Sequence, residues 1–301
     1  MKIFSPSYYK QFKCIADRCR HSCCIGWEIG IDDDTINKYS LLPECERKEV
    51  LSYIDDEGCV ILEGGERCPF LCDDGLCRLI STYGEGYISQ ICREHPRFYH
   101  RVGERVECGI GASCEEACRL ILSSDFVEFY ALDVADPECA DESDYDTISH
   151  RELIYSILCD VGISYREKLD KIKKIYSVDD SILKSESLRN ALSELEYLDD
   201  SHREIISVEV GDGCQATEDI RIYLERFFAY LVFRHLSVAE HYDNLRARLG
   251  FCLLLLSIFE RAVKGRDKFD EVCDTARIIS EEIEYSEDNT AALIFEIECL
   301  I

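Results

Sequence analysis

Residues 14–27 read CIADRCRHSCCIGW and place four cysteines within eleven positions, with the chain's single tryptophan just behind them. Three further cysteine-bearing stretches follow in order: CPFLCDDGLC at 68–77, CREHPR at 92–97 and SC at 113–114. Thirteen of the 19 cysteines lie before residue 119, so the front of the chain is rich in thiols. Because 19 is an odd number, the cysteines cannot all pair with one another inside the chain.

The chain's start and its apolar runs indicate the compartment in which these thiols work. Residues 1–14, MKIFSPSYYKQFKC, contain no apolar segment of a secretory signal, and the longest apolar run, residues 251–256, is too short to cross a bilayer. We therefore expect a cytoplasmic chain with no membrane partner and with reduced thiols. Clustered cysteines then favour metal or iron–sulfur binding over disulfides. The net charge of −27 disfavours binding to duplex nucleic acid.

Thiolate chemistry leaves two kinds of metal centre open. Thiolates near neutral pH need a compensating cation, and a structural zinc ion or a 4Fe–4S cluster each takes four of them. The spacing does not decide between the two. The sequence has no paired C-x2-C knuckle of zinc ribbons, and Cys19-x3-Cys23 is followed at once by Cys24. This departs from the C-x3-C-x2-C pattern of radical enzymes that cleave S-adenosylmethionine.

The distribution of apolar residues predicts a mainly α protein, with a cysteine-rich irregular N-terminal module followed by a helical C-terminal part. Residues 219–236 and 244–263 are apolar nearly all round and predict two buried helices. No proline follows Pro137, which agrees with a helical second half. The acidic stretch Asp136–Asp146 is the predicted boundary between a metal-binding module over residues 1–135 and a helical domain over residues 136–301.

The front of the chain also carries weaker local signals. Val60–Leu62 predicts a short strand, and the stretch before Gly84 predicts a short helix that ends near that glycine. Residues 113–116, SCEE, have the spacing of a capping box, which would place Cys114 in the first turn of a helix and favour its thiolate. The Gly-x-Gly at residues 109–111 lacks the βαβ pattern of a nucleotide-binding fold and locates no cofactor pocket.

Four blocks together resemble one known family. The stretches CIADRCRHSCCIGWEIGID, CPFLCDDGLCRL, ICREHPR and SCEEACRLIL are similar, in the right order, to blocks of the bacterial flagellin lysine-N-methylase family, which belongs to a group with a CxxCxxCC-type iron- or zinc-chelating domain. The resemblance covers residues 8–125. It implies methyl transfer from S-adenosylmethionine to lysine side-chain amines of flagellin. It also implies an iron–sulfur cluster, or zinc, held by the cysteines that match the blocks: Cys14, Cys19, Cys23, Cys24, Cys68, Cys77, Cys92 and Cys114.

Two other residues beside these blocks are candidates for cofactor binding. Trp27 can pack against a metal centre or simply against the core, and Arg97 can pair with a carboxylate of the cofactor or of the protein. The chain departs from the family at Cys72, where the family usually has no cysteine, and at His95, where tyrosine is common. No residue is assigned as the catalytic base, because the candidates cannot be told from solvated side chains.

Two rival functions remain open from the residues alone: a non-enzymatic metal-binding scaffold, and a redox protein that uses an iron–sulfur cluster for electron transfer. The cysteines of the second half show no common spacing, and we expect them to act as small buried apolar side chains. They are Cys139, Cys159, Cys214, Cys252, Cys273 and Cys299.

Overall fold

The structure is a computed structural model, and it describes residues 2–64, 66–124, 129–132, 141–206 and 218–301. The chain folds as two compact units, one of Lys13–Arg97 and one of Met1–Phe12 with Phe98–Ile301. The predicted boundary after residue 135 lies outside the described residues. Segment 98–124, which the sequence assigned to the cysteine-rich module, packs with the larger unit.

The smaller unit has short helices joined by turns. In its described residues they are α1 (Asp33–Ser40), α2 (Glu44–Leu51), α3 (Arg78–Tyr83) and α4 (Gln90–Glu94). Asp32 accepts the Thr35 N–H at 3.0 Å and the Gln90 N–H at 2.7 Å, so one carboxylate caps α1 and holds the start of α4. Helix α3 ends at Gly84, whose φ of 90° favours glycine, and this confirms the helix end predicted there.

The strand predicted at Val60–Leu62 is wrong in this unit. Val60 forms only an isolated bridge with Ile54, and Cys59 forms one with Gly30. The segment is apolar because it contributes to a small core, in which Val60 packs with Phe70.

The larger unit contains a sheet that the sequence did not predict. Its strands are β1 (Lys2–Pro6), β2 (Arg97–Val102), β3 (Arg105–Ile110), β4 (Phe129–Leu132) and β5 (Asp141–Ser143), in the order β4-β1-β3-β2-β5. Strand β1 runs parallel to β3 and antiparallel to β4, and β2 runs parallel to β5. Gly109 has no space for a side chain, because a Cβ there would overlap the ring of Phe98. The glycine therefore lets two strand segments approach closely.

Helices make up the rest of the larger unit, and the prediction of a mainly α protein is confirmed. They are α5 (Glu115–Ser123), α6 (Thr147–Leu158), α7 (Tyr165–Tyr176), α8 (Asp180–Leu183), α9 (Glu186–Glu194), α10 (Arg203–Ile206), α11 (Glu218–Leu236), α12 (Tyr242–Ala262), α13 (Phe269–Ile279) and α14 (Glu287–Leu300). Helices α11 and α12 pack against each other and are buried, as their all-round apolar sequences predicted. A π-helical turn, Ser280–Glu284, directly follows α13 and leads the chain to α14. Among the helices described, none is both long and apolar enough to cross a membrane.

Two local predictions in the larger unit need correction. The capping box at residues 113–116 is wrong, because Cys114 is the N-cap of α5 and no side chain caps the helix. Cys252 and Cys273 are buried as expected, whereas Cys159 and Cys299 are exposed because they lie at helix positions that face solvent. Cys139 and Cys214 lie outside the described residues.

Candidate metal centre

Four cysteines from three of the sequence blocks come together in the smaller unit. Cys68 is buried in the small core, and Cys24, Cys77 and Cys92 pack against that core as half-buried side chains. The proximity of Cys24 and of one another contributes to the raised pKa values of Cys68, Cys77 and Cys92, which places the four sulfurs in one neighbourhood. We call them the four-thiol set.

Local backbone contacts explain why residues far apart in sequence meet. An isolated antiparallel bridge joins Ile25 to Arg67, and the Cys68 N–H donates to the Cys24 carbonyl at 2.9 Å. A second bridge, between Leu71 and Cys77, closes the turn that carries Cys68 and Cys77. Cys92 lies in α4, whose start is held by Asp32. Each member of the set is therefore positioned by backbone hydrogen bonds.

Donors surround the sulfur atoms of the set. The backbone N–H of Phe70 donates to the sulfur of Cys68, and those of Leu79 and Ile80 donate to the sulfur of Cys77 at the start of α3. Hydrogen bonds of this kind favour thiolates and tune the metals that thiolates bind.

The pKa values differ between the members of the four-thiol set. A hydrogen bond from the Cys23 thiol, helped by Ser22 and by the charge of Arg67, lowers the pKa of Cys24 to about 6. Burial, together with the neighbouring thiols, raises the pKa of Cys68 to about 12. Burial and neighbouring thiols also raise the pKa of Cys77 and of Cys92. Cys24 is therefore the member of the set that ionises most readily, whereas burial favours the neutral thiol at Cys68, Cys77 and Cys92.

The spacing of the sulfurs bears on the kind of metal. Among the described residues, no three cysteine sulfurs lie within 4.8 Å of one another. Zinc bound at 2.3 Å by four thiolates would bring pairs of sulfurs to about 3.8 Å. Any three sulfurs of the four-thiol set therefore include at least one pair more than 4.8 Å apart, which is wider than the zinc spacing.

The other predicted ligands take different positions. Cys14 is exposed, and its sulfur accepts the Ala16 N–H at 3.4 Å. Cys19 is half-buried and its thiol donates to the His21 carbonyl at 3.2 Å. Cys23 is exposed, and its thiol donates to the sulfur of Cys24.

Cys114 belongs to the larger unit, where its charge interacts with that of Cys118 on the next turn of α5. The ligand set of eight therefore stays a prediction, of which the structure brings four members together. Cys72, a spare thiol in the sequence-based prediction, lies close enough to Cys77 to help raise the pKa of Cys77.

Trp27 lies beside the four-thiol set. Its indole N–H donates to the Cys23 carbonyl, its ring centroid lies 5.7 Å from that of His95, and it packs against the small core with Cys24 and Cys92. Arg97 is half-buried and its guanidinium donates to the Arg93 carbonyl at 3.3 Å. Cofactor binding by Trp27 and Arg97 remains a prediction.

Sequence reasoning missed two residues of this site. Tyr39 is fully buried, its hydroxyl donates to the Tyr87 carbonyl at 2.7 Å, and its charge interacts with Cys92, Cys77 and Cys68. Arg67 donates to the carbonyls of Leu71 and Cys72 at 3.0 and 2.9 Å and so braces the turn after Cys68. Arg67 directly precedes a block cysteine and could have been noticed, whereas nothing in the sequence around Tyr39 marks it.

A second group of possible ligands lies in the larger unit. His202, Glu281 and Glu282 have ligand atoms within 4.8 Å of one another. The carboxylate of Glu282 already accepts the Leu198 N–H at 2.7 Å and bonds the His202 ring at 2.6 Å, and Glu281 pairs with Arg277 at 2.6 Å. The bonds of Glu282 hold residues 198–202 in place, so this group has a structural role.

Comparisons with known proteins give partial similarities. No protein-family model matches the chain, and no solved structure matches it. Over 134 residues, 40% of this chain, it is 28% identical to a lysine-N-methylase of Salmonella typhimurium and 28% identical to one of Salmonella choleraesuis. The matched part covers 32% of each of those two proteins, so the chain spans about a third of their length. Over 134 residues it is also 27% identical to the flagellar biosynthetic protein FliU of Salmonella muenchen, 77% of which is covered. The chain is therefore a distant, partial relative of proteins named for lysine methylation and flagellar biosynthesis.

Proposed function

We propose that this protein is an S-adenosylmethionine-dependent lysine N-methyltransferase that acts on flagellin in the cytoplasm and holds an iron–sulfur cluster of the 4Fe–4S type. The observation that carries the activity is the similarity to proteins named lysine-N-methylase and to a flagellar biosynthetic protein. The order of the cysteine blocks along the chain also supports the proposed lysine methylation.

The four-thiol set supports the metal part of the proposal. Cys24, Cys68, Cys77 and Cys92 would hold the cluster, because they share one partly buried neighbourhood and because backbone N–H groups donate to the sulfurs of Cys68 and Cys77. A bound cluster would supply positive metal centres that stabilise these thiolates and, through them, the surrounding turns. Arg67 and Tyr39 would keep the turn at Cys68 and the helices around it in place.

Methyl transfer to lysine requires a neutral amine held in line with the sulfonium methyl group, so positioning and removal of a proton are the protein's main tasks. The methylation proposal is tested with anaerobically prepared protein, purified flagellin and S-adenosylmethionine carrying a labelled methyl group. We expect label in flagellin, on lysine side chains, that depends on the protein. Absence of label from flagellin, together with absence of S-adenosylmethionine binding in calorimetry, would contradict the proposal and leave the scaffold or redox function.

A further inference from the structure

Three tyrosines surround one histidine on the larger unit, where three helix ends meet. The ring centroid of His150 in α6 lies 5.8 Å from that of Tyr145, 5.6 Å from that of Tyr176 and 5.9 Å from that of Tyr242. Tyr145 precedes α6, Tyr176 is the last residue of α7, and Tyr242 is the first residue of α12. We call these four residues the aromatic cluster.

Hydrogen bonds fix the cluster from its buried side. The Tyr176 hydroxyl donates to the His150 carbonyl at 3.2 Å and lies 3.2 Å from Nδ1 of the same residue. The Tyr145 hydroxyl lies 3.3 Å from Nε2. The Tyr176 hydroxyl thus lies within hydrogen-bond distance of both the carbonyl and the ring of His150. The imidazole is thereby held between two phenols, and the tyrosine rings are kept apart at defined positions.

The outer side of the cluster is open to solvent and carries negative charge. Tyr176 is buried, but Tyr145 is only half-buried and 43% of Tyr242 is exposed. Asp144 and Asp146 flank Tyr145 in sequence, Asp243 follows Tyr242, and all three carboxylates are exposed.

Asp146 and Asp243 have different partners at this rim. Asp146 caps α6 by accepting the Ser149 N–H at 3.1 Å, and bonds from Ser149 keep its pKa below the usual range, so it is charged at neutral pH. Arg246, whose side chain is only 15% exposed, approaches Asp243 at 3.4 Å and donates to the Tyr176 carbonyl at 2.8 Å, so one guanidinium stands against the three carboxylates. The open rim therefore retains a negative character.

The chemistry of this surface matches one kind of ligand. A cation is attracted to the face of a tyrosine ring within about 6 Å, and carboxylates beside the ring add to the attraction. An ammonium group on an alkyl stem uses both features, because the stem packs on the ring while the charged end faces the carboxylates. The carboxylates also favour the approach of a basic protein segment, as does the net charge of −27.

We propose that the aromatic cluster and its rim of Asp144, Asp146 and Asp243 bind the side chain of a lysine on the protein substrate. This inference rests on the proposed function for the identity of the substrate. It adds a binding surface on the larger unit, formed by residues that lie outside the four-thiol set. Tyr242 supplies the exposed ring, Tyr145 the second ring, and His150 keeps the two at their positions.

The test uses two small probes, Nα-acetyl-lysine-N-methylamide and its Nε-trimethylated form, titrated into the full chain with labelled tyrosine rings and followed by NMR. We expect resonances of Tyr145 and Tyr242 to shift. Tyr242→Ala should weaken binding about two- to fivefold, the loss expected for one exposed cation–π contact, and Tyr242→Phe should keep it. The matched control is Phe295→Ala, which removes an aromatic side chain on α14 that is 66% exposed and should leave the titration unchanged.

The outcomes separate this inference from the proposed function. Tighter binding of either probe supports the site and tells whether it prefers the lysine before or after methylation. Unchanged affinity in Tyr242→Ala, or shifts confined to other tyrosines, overturns the inference even if flagellin is methylated. Binding at Tyr242 in a protein that transfers no methyl group supports the site and contradicts the proposed function.

Discussion

At the scale of single residues, the clearest pH-sensitive feature is a buried pair in the helical core. His235 and Glu284 are both buried, with Nε2 of the histidine 2.7 Å from a carboxylate oxygen. Burial lowers the pKa of His235 below its ordinary value of 6.5 and outweighs the attraction of Glu284. Burial alone would raise the pKa of Glu284, but the charge of Arg234 and the bond from His235 hold it below the ordinary value of 4.5.

Both shifts predict loss of stability on acidification. The unfolded chain binds a proton at the histidine before the folded chain does, so the free energy of unfolding should fall as the pH drops below about 6.5, and further below about 4.5 as the carboxyl protonates in the unfolded chain. Urea titrations between pH 8 and 4 measure this. His235→Gln should be less stable at pH 8 and should show a weaker decline between pH 6.5 and 5. An equally steep decline in that variant would contradict the assignment.

At the scale of elements, the sequence predicted helices well and strands poorly. Helices α11 and α12 were predictable because a helix with apolar residues on all its faces has to be buried in a core. Helix α3 was predictable because Gly84 directly follows its last residue and ends it. The sheet was missed because β3 is buried along most of its length and lacks an alternating pattern. The capping box failed because the backbone turns at Cys114, one residue later than the spacing indicated.

The contact between β2 and β3 gives a prediction for one glycine. A methyl group at Gly109 would overlap the Phe98 ring, so Gly109→Ala should lower the free energy of unfolding by about 1–3 kcal/mol, as overpacking typically does. Gly86→Ala is the matched control, because nothing lies within 4 Å of a Cβ there. Thermal unfolding of both variants measures the difference, and adding Phe98→Leu to Gly109→Ala should restore part of the loss. Equal stability of the two alanine variants would show that the ring moves aside without cost.

At the scale of the whole molecule, tertiary contacts decide which cysteine blocks lie in the same unit. The cysteine blocks predicted that eight thiols converge, and four of them, Cys24, Cys68, Cys77 and Cys92, share the small core of the smaller unit. The blocks did not reveal that Cys114 belongs to the other unit, because the chain enters that unit at residue 98 without any change in cysteine content. Tyr39 and the aromatic cluster were also missed, since their members are brought together only by tertiary contacts.

The central claim is that the four-thiol set holds one iron–sulfur centre, and metal analysis of anaerobically purified protein tests it most directly. We expect about four irons and four acid-labile sulfides per chain. Cys77→Ser should lose most of both, whereas Cys45→Ser should keep both, because Cys45 is an exposed cysteine of the same unit that lies outside the set. A chain without iron and sulfide, or a Cys77→Ser variant that retains both, would contradict the account.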